Sequence, residues 1–247
     1  MIFYTKIFYD HRHSGLQLLS RRLILVRNTL IIGDTHLPFE VKGYLEFCKQ
    51  TQKKFKCTNI IHIGDLVDNH AISYHEHDPD GWSPLDEMRA ADEKLLKWFK
   101  AFPKVSMCRG NHDVLVDRKG KTVGLPRRCF QSFRNIWNLP KAWVDDFEFE
   151  FDNVRYVHGN GYSGKSGHVK AMEANRQSTV IGHLHSVAGV EWDANSRECI
   201  FGMSVGCGID KDKYAFEYGR YFKKKPIISC GVVLDNGRFP LVIPMEL

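Results

Sequence analysis

The sequence predicts an α/β fold in which two β-sheets pack together and helices lie outside them. Strand-like and helix-like segments alternate through the first half of the chain, whereas the second half is mostly strand-like. Several apolar strand segments end in a glycine that is followed by carboxylate or histidine side chains. Alternation of this kind is typical of layered α/β domains, which bind their ligands at the carboxyl ends of the strands.

The first half of the chain is expected to contain three strands separated by two helices. The second helix is the clearest, because apolar residues recur at helical spacing from Leu85 to Phe102 and Pro103 lies just past its end. The first helix follows Pro38, a residue that favours a helix start. The expected order is a strand at 30–32, a helix reaching about residue 52, a strand at 59–63, the helix at 85–102 and a strand at 104–108.

The second half is expected to be mostly β-structure. Residues 147–151 alternate strictly between phenylalanine and glutamate, which predicts a half-exposed strand joined by the turn Asp152-Asn153 to a partner at 154–157. The remaining segments are a helix at 168–177 and strands at 179–181, 189–192, 198–201, 227–234 and 240–244. We therefore expect a single domain, with an N-terminal extension at 1–28, a motif core at 29–186 and a β-rich C-terminal part at 187–247.

Size and composition favour a soluble cytoplasmic protein. The chain has 247 residues, of which 43% are hydrophobic and 26% charged, enough to bury a substantial core. Its seven cysteines form no Cys-x-x-Cys pair, which favours reduced thiols over a disulfide framework. Neither a membrane span of roughly 20 apolar residues nor a signal peptide is recognisable. The net charge of +6 suits an anionic substrate or nucleic acid without requiring one.

Five predicted strand ends carry carboxylate, amide or histidine side chains. In the central one, Ile63-Gly64-Asp65, the glycine permits a tight exit turn and leaves the carboxylate at the end of the strand. The other clusters are Gly33-Asp34-Thr35-His36, Gly110-Asn111-His112-Asp113, His158-Gly159-Asn160 and Gly182-His183-Leu184-His185. Such positions contribute little to packing and are well suited to binding a cation.

The donor atoms of these clusters indicate which metals bind. Besides His112, they offer nitrogen and oxygen donors without a thiolate, which suits manganese first, with iron, zinc or nickel as alternatives. The donors are too many for one tetrahedral ion and about right for two ions that share a carboxylate, with Asp65 as the expected bridge. Two such ions lie roughly 3.5–4 Å apart, activate a water and hold both oxygens of a phosphoryl displacement. The seven expected ligands are Asp34, His36, Asp65, Asn111, His158, His183 and His185.

These blocks, in this order, resemble the motifs of the calcineurin-like metallophosphoesterase family. The matching motifs span residues 34–185 and retain every metal-ligand position of the family pattern. The resemblance implies two mixed β-sheets that pack as a sandwich between flanking helices. It also implies that Asp34, His36, Asp65 and His185 bind one metal and that Asp65, Asn111, His158 and His183 bind the other.

The resemblance also assigns the catalytic residues. His112 would lie beside the phosphate, either as proton donor to the leaving group or as stabiliser of the transition state. Its partner would be Asp68, which follows Asp65 in the second block, or Asp113, the next residue along the chain.

The residues after two of the motifs separate the chain from one branch of the superfamily. Ser/Thr protein phosphatases usually carry an arginine and a glutamate where this chain has Asn69 and Asp113. Gly-Asn-His-Asp looks more like the nucleases and phosphodiesterases of the family. Arg109 is the candidate replacement for the missing phosphate contact, alongside Asn111.

The expected function is therefore hydrolysis of phosphoester bonds, in nucleotides or nucleic acid, by a dinuclear metal enzyme. One alternative is a phosphoprotein phosphatase. The other is a catalytically silent binding module on the same fold, although such proteins usually lose metal ligands and this chain retains them all.

Four further sequence features each allow two interpretations, one functional and one structural. His62 points into the predicted sheet and is expected to be a packed histidine rather than a ligand. The histidine-rich loop at 69–83 suggests a third metal site, but a solvated rim is favoured; its donors are His70, His75, His77 and Asp78. The basic run at 118–128 either contacts a polyanionic substrate or is a solvated loop. The aromatic and basic segment 211–225 suits nucleic acid and packing under the sheet equally well.

Overall fold

The computed structural model describes residues 26–74, 80–210 and 224–246, and it contains two β-sheets and five α-helices within them. The predicted N-terminal extension up to residue 25, three donors of the histidine-rich loop (His75, His77 and Asp78) and most of the aromatic and basic segment lie outside the described residues. Within the described ranges, no helix is both long enough and apolar enough to cross a membrane.

The first sheet has six strands and carries three of the sequence clusters. Its strands are β1 (Thr29–Ile32), β2 (Asn59–His62), β3 (Val105–Cys108), β4 (Trp143–Asp146), β10 (Ser229–Leu234) and β11 (Phe239–Pro244). They lie in the order β11-β10-β1-β2-β3-β4. The strands β1 to β4 are parallel, while β10 is antiparallel to both of its neighbours. The carboxyl ends of β1, β2 and β3 therefore meet at one edge of the sheet.

The second sheet has five strands and carries the two remaining histidine clusters. Its strands are β5 (Glu148–Phe151), β6 (Val154–Val157), β7 (Ser178–Ile181), β8 (Ala188–Ala194) and β9 (Cys199–Val205), in the order β5-β6-β7-β9-β8. The strands β6, β7 and β9 are parallel. The predicted hairpin turn is present, with Asp152 and Asn153 both in the left-handed region at φ 54° and 60°.

Five α-helices accompany the sheets: α1 (Tyr44–Phe55), α2 (Pro84–Ala101), α3 (Leu115–Thr122), α4 (Phe133–Ile136) and α5 (Gly167–Asn175). The start of α2 is set by Ser83, whose side chain accepts a hydrogen bond from the Asp86 backbone N–H at 3.2 Å, and by a proline in the first turn. Ala91, Leu95 and Trp98 form its buried stripe.

Two apolar cores lie on opposite faces of the six-stranded sheet. Leu30 and Ile32 of β1 pack with α1 and α2 residues such as Trp98, whereas Ile31 packs in the core shared with Tyr156 of the second sheet. Because both faces of β1 are buried, its sequence is continuously apolar rather than alternating. The predicted fold class is confirmed: two mixed β-sheets form a sandwich with helices outside.

Sequence reasoning missed the four-residue helix α4 and two elements that shape the surface beside the site, β4 and α3. Trp143 is the one buried side chain of β4, so this edge strand shows neither an apolar run nor an alternation. The helix α3 is short, largely polar and contains Gly120, which weakens its helical signal. Both elements are held by their neighbours, since β4 pairs with β3 and Gly120 lies against Phe130.

Candidate metal centre

Strand ends from both sheets meet at one place. Asp34 and Asp65 follow β1 and β2 of the first sheet, while His158 and His183 follow β6 and β7 of the second. The His183 backbone N–H donates a hydrogen bond to Asp34 Oδ2 at 2.8 Å. His158 Nδ1 lies 3.1 Å from the carbonyl oxygen of Ile63. These bonds between the sheets fix the two halves of the centre relative to each other.

The first donor cluster consists of Asp34, His36, Asp65 and His185, whose ligand atoms all lie within 4.8 Å of one another. His36 Nε2 is 3.1 Å from His185 Nε2 and 3.6 Å from Asp65 Oδ2. His185 Nε2 is in turn 3.2 Å from Asp34 Oδ2. The family resemblance implied the same four residues as ligands of one metal.

The second donor cluster consists of Asp65, His158 and His183, again within 4.8 Å of one another. His158 Nε2 lies 3.1 Å from Asp65 Oδ2 and 3.1 Å from Asn111 Oδ1, so the amide joins this cluster. Asp65 therefore belongs to both clusters. This shared position is compatible with the bridging role expected for its carboxylate.

Hydrogen bonds orient two of the histidines for metal binding. His36 Nδ1 is held by Asp68 Oδ1 at 2.6 Å, and His158 Nδ1 by the Ile63 carbonyl at 3.1 Å. Each ring then presents Nε2 to the centre, as the partners of metal-binding histidines commonly arrange. Asp34 is fully buried, yet its Oδ1 has no hydrogen-bond partner among the described residues. A buried carboxylate oxygen in this state fits a cation.

The backbone adopts an uncommon conformation at three of the expected ligands. The φ values of His36, Asp65 and His183 are 46°, 49° and 63°. They lie in the left-handed region, which residues other than glycine rarely adopt. Each such residue costs on the order of 1–3 kcal/mol, and such residues cluster at functional sites. The fold therefore sacrifices local stability to direct these side chains inward.

Two motif glycines leave room for the centre. Gly64 has a φ of 113°, which confirms the tight exit turn predicted after β2. A side chain at Gly110 would overlap the carboxylate of Asp65. The glycine in Gly110-Asn111 is therefore required by a close approach between two motifs rather than by its own turn.

The buried carboxyl and imidazole groups of the centre shift one another's pKa values. Burial raises the pKa of the Asp65 carboxyl, but His158 and His112 outweigh burial and hold the pKa well below its usual range. Burial lowers the pKa of His112, but Asp65 and Asp68 reverse this and raise it to about 10. Against the same effect of burial, Asp65 and Asp34 raise the pKa of His158 to about 9. Such a negative field favours cations, and metal binding releases the protons that it displaces.

The sequence profile of the family described as calcineurin-like phosphoesterase matches residues 27–219 of the chain. The chain belongs to this family. No curated protein sequence matches the chain significantly.

Several solved structures are similar to this family member at low sequence identity. An archaeal phosphodiesterase is 15% identical, with a TM-score of 0.45 over 88% of this chain and 99% of that one. Vacuolar protein sorting 29 of Cryptosporidium parvum is 13% identical, with a TM-score of 0.46 over 90% and 92% of the two chains. Pseudomonas putida nuclease MPE is 16% identical, with a TM-score of 0.36 over 88% and 87%.

The expected catalytic residues of this phosphoesterase-family chain lie against the first cluster. His112 Nδ1 is 2.6 Å from the Asp68 carbonyl oxygen and 3.3 Å from Asp68 Oδ1, and its ring centroid is 4.6 Å from that of His36. Asp113 instead accepts backbone N–H bonds from Leu66 at 3.0 Å and Gly110 at 2.8 Å. Of the two partners that the sequence allowed for His112, the structure brings Asp68 to it, and Asp113 ties two motif loops together.

Arg109 contacts the edge strand β4 and the residue that follows it. Its Nε is 3.2 Å from Asp145 Oδ2, and its guanidinium lies 4.7 Å from the centroid of the Phe147 ring. Arg134 Nη2 contacts the other oxygen of Asp145 at 2.8 Å. The role of Arg109 as a phosphate contact remains a prediction.

His62 is a buried structural histidine, as expected. Its Nδ1 accepts a hydrogen bond from the Gly64 N–H at 3.3 Å, and its Nε2 lies 3.0 Å from Thr35 Oγ1, which donates to the Leu66 carbonyl at 2.9 Å. This chain of bonds fixes a neutral ring with its proton on Nε2. Burial lowers the pKa of His62 to about 3. The residue links the first motif to the second without being a ligand.

Sequence reasoning missed two residues that hold the loop after Asp68. Asn69 Nδ2 donates to the His112 carbonyl at 3.0 Å, which couples the second and third motifs. The buried Glu87 of α2 accepts the backbone N–H groups of His70 and Ala71, each at 2.7 Å. Glu87 lies one helical turn before Ala91, on the buried side of α2, but nothing in the sequence indicated which loop it would hold.

Proposed function

We propose that the chain is a dinuclear metal-dependent phosphoesterase that hydrolyses phosphoester bonds in nucleotides or nucleic acid. The observation that carries the proposal is the shared position of Asp65, whose carboxylate belongs to both donor clusters. Family membership supports the reaction class. The two-metal assignment rests on the donor geometry.

The proposed ligand sets follow the two clusters. Asp34, His36, Asp65 and His185 would hold one divalent cation, and Asp65, Asn111, His158 and His183 the other. When bound, such a pair lowers the pKa of water and neutralises charge on the phosphate. Manganese is the expected metal because the donors are imidazole, carboxylate and amide groups.

His112 is proposed to act on the leaving group. Its Nδ1 is engaged by the Asp68 carbonyl, so Nε2 is the nitrogen that remains to donate a proton to the departing oxygen or to stabilise the phosphate. Asp68 would have two tasks, since its carboxylate orients His36 and its carbonyl fixes the tautomer of His112. Neither task requires His112 to bind a metal.

Two alternative functions are less well supported. A phosphoprotein phosphatase of this superfamily would be expected to have an arginine at position 69 that contacts the phosphate. This chain has Asn69 there, and the Asn69 side chain donates a hydrogen bond to the His112 carbonyl. A silent binding module would not need buried ligands in strained backbone conformations. The retained donors of both clusters favour catalysis.

A substrate panel with added Mn²⁺ tests the proposal. The panel contains p-nitrophenyl phosphate, bis(p-nitrophenyl) phosphate, cyclic nucleotides, single- and double-stranded DNA, and a phosphopeptide. We expect turnover of the diester or nucleotide substrates to exceed phosphopeptide turnover and to disappear with EDTA. Activity without metal would contradict the proposal, and so would hydrolysis of the phosphopeptide faster than that of every nucleotide substrate.

A further inference from the structure

A basic cavity of about 290 Å³ lies beside the candidate metal centre. Its wall begins at Val114, two residues after His112, and therefore no more than about 7.6 Å from it between Cα atoms. On the other side the wall includes Phe147, whose ring carries the guanidinium of Arg109 at 4.7 Å. The remaining lining residues are Asp117, Arg118, Lys121, Leu125, Arg127 and Phe130.

The charge of this basic cavity is positive. Its lining has three cations, Arg118, Lys121 and Arg127, against Asp117, which gives a sum of +2. Asp117 and Arg127 pair with each other at 3.5 Å, so Arg118 and Lys121 carry the excess charge. Both lie on α3, the helix that begins just after the third motif.

The same cavity presents apolar and aromatic surface to solvent. Leu125 is 47% exposed and Phe147 is 54% exposed, although both lie among cations. Phe130 is partly buried, with its ring tip against Gly120 of α3, so the ring is held in place. Cations beside fixed aromatic rings are the elements with which proteins bind the phosphates and unstacked bases of single strands.

We propose that the basic cavity binds the nucleotide next to the scissile phosphate in a single-stranded nucleic acid, with Arg118 and Lys121 contacting its phosphate and Phe130 or Phe147 stacking on its base. The inference rests on the proposed function, because it assumes that a phosphodiester is cleaved at the metal centre. Duplex ends stay stacked and offer no such base, so single strands are the preferred substrate.

A binding experiment tests the cavity independently of catalysis. Fluorescence anisotropy of a labelled ten-residue thymidine oligonucleotide is measured in EDTA with the full chain and with the double variant Arg118→Ala/Lys121→Ala. Each lost phosphate contact lowers the magnitude of the slope of log K against log salt by about 0.7 for single strands, so we expect a decrease of about 1.4. The variant Phe130→Leu keeps an apolar side chain against Gly120 and should weaken binding about 5-fold or more through lost stacking.

The matched control is Lys97→Ala/Lys100→Ala. It also removes two cations from a helix, but at the end of α2 that precedes β3, opposite the strand ends of the metal centre. Its salt slope should equal that of the wild type. Equal slopes for the control and the cavity variant overturn the inference.

Turnover separates failure of this inference from failure of the proposed function. Bis(p-nitrophenyl) phosphate has neither a second phosphate nor a base for the cavity to bind, so the cavity variants should hydrolyse it within about 2-fold of wild type while oligonucleotide cleavage falls in parallel with binding. A wild type that cleaves the small diester but binds the oligonucleotide no better than the cavity variant overturns the cavity assignment alone. A wild type that cleaves no ester overturns the proposed function, and the salt slopes still decide the cavity. A phosphopeptide that binds more tightly than the oligonucleotide, and depends on the same residues, overturns the nucleic-acid assignment.

Discussion

The metal centre and the basic cavity are neighbours that the chain builds in opposite ways. The side chains of the centre that come from Asp34, His36, Asp65 and His158 are almost fully buried, and hydrogen bonds from both sheets fix them. The cations of the cavity are largely exposed and lie on α3 and the loop after it. In the proposed function, the sandwich therefore fixes the groups that do the chemistry, whereas an exposed surface that tolerates change selects the substrate.

The largest effect is expected from Asp65→Asn. Asparagine tolerates the left-handed backbone at this position and can still accept the His112 N–H, so the fold should survive while the charge shared by both clusters is lost. Activity on every substrate should fall by more than the roughly 10- to 100-fold that is typical when a residue hydrogen-bonded to a metal ligand is replaced. Elemental analysis should find fewer than two metals per chain.

The control for this substitution is Asp152→Asn, which makes the same change at another left-handed position, in the hairpin turn of the second sheet. It should leave activity and metal content unchanged. Near-full activity and metal content in Asp65→Asn would show that Asp65 is not the bridge.

His112→Ala should reduce turnover by about 100- to 10,000-fold, the range typical of a positioned acid or of a transition-state donor. Metal content should stay near that of the wild type, because His112 belongs to neither proposed ligand set. The turnover of a nucleotide ester should fall more than that of p-nitrophenyl phosphate, because the leaving group of p-nitrophenyl phosphate needs little protonation. Equal losses would favour electrostatic stabilisation, and loss of a metal would contradict the assignment of His112.

Asp68→Asn should have a smaller effect, about 10- to 100-fold in metal affinity or activity. The substitution keeps the backbone carbonyl that holds His112 but weakens the charged partner of His36 Nδ1. The measured quantity is the Mn²⁺ concentration that gives half-maximal activity, which should rise. A variant with normal Mn²⁺ dependence but reduced turnover would place the role of Asp68 at His112 rather than at His36.

The smallest effect concerns stability beneath the centre rather than catalysis. Because the folded pKa of His62 is lowered to about 3, the unfolded chain binds a proton below pH 6.5 that the folded chain does not. The stabilisation from neutral His62 is thus full above pH 6.5 and is lost on acidification. Between pH 6.5 and 5 the loss is about 1.5 kcal/mol.

The variant His62→Gln removes this titration. Urea denaturation at pH 7.5, 6.5 and 5 should show that the variant is less stable than the wild type at pH 7.5 but loses about 1.5 kcal/mol less stability between pH 6.5 and 5. Parallel losses for the two proteins would mean that His62 accepts a proton in the folded state.

The contrast between the two regions also explains what the sequence could predict. The position of the centre was predictable because each expected ligand lies just after an apolar strand, and parallel strands bring their ends together. Asp65 and His185 are far apart in sequence, yet both follow such strands, and the structure brings them into one cluster. Fold class followed from the same strand pattern.

The elements that form the basic cavity have no comparable pattern in the sequence. The helix α3 and the strand β4 were missed because their stability comes from pairing with β3 and packing against Phe130, not from their own periodicity. Without them, the basic run could not be joined to Phe147 across a cavity. Likewise, nothing local indicated that Glu87 of α2 would hold the loop after Asp68.

The most direct test of the central claim is the number of metal ions that the wild-type chain retains. The protein is loaded with Mn²⁺, desalted and analysed for metal per chain, with circular dichroism to verify the fold. Because two donor clusters share Asp65, the expected result is two ions per chain and a magnetically coupled Mn²⁺ signal in electron paramagnetic resonance. One ion or none in a folded protein, or two uncoupled ions, would contradict the dinuclear centre.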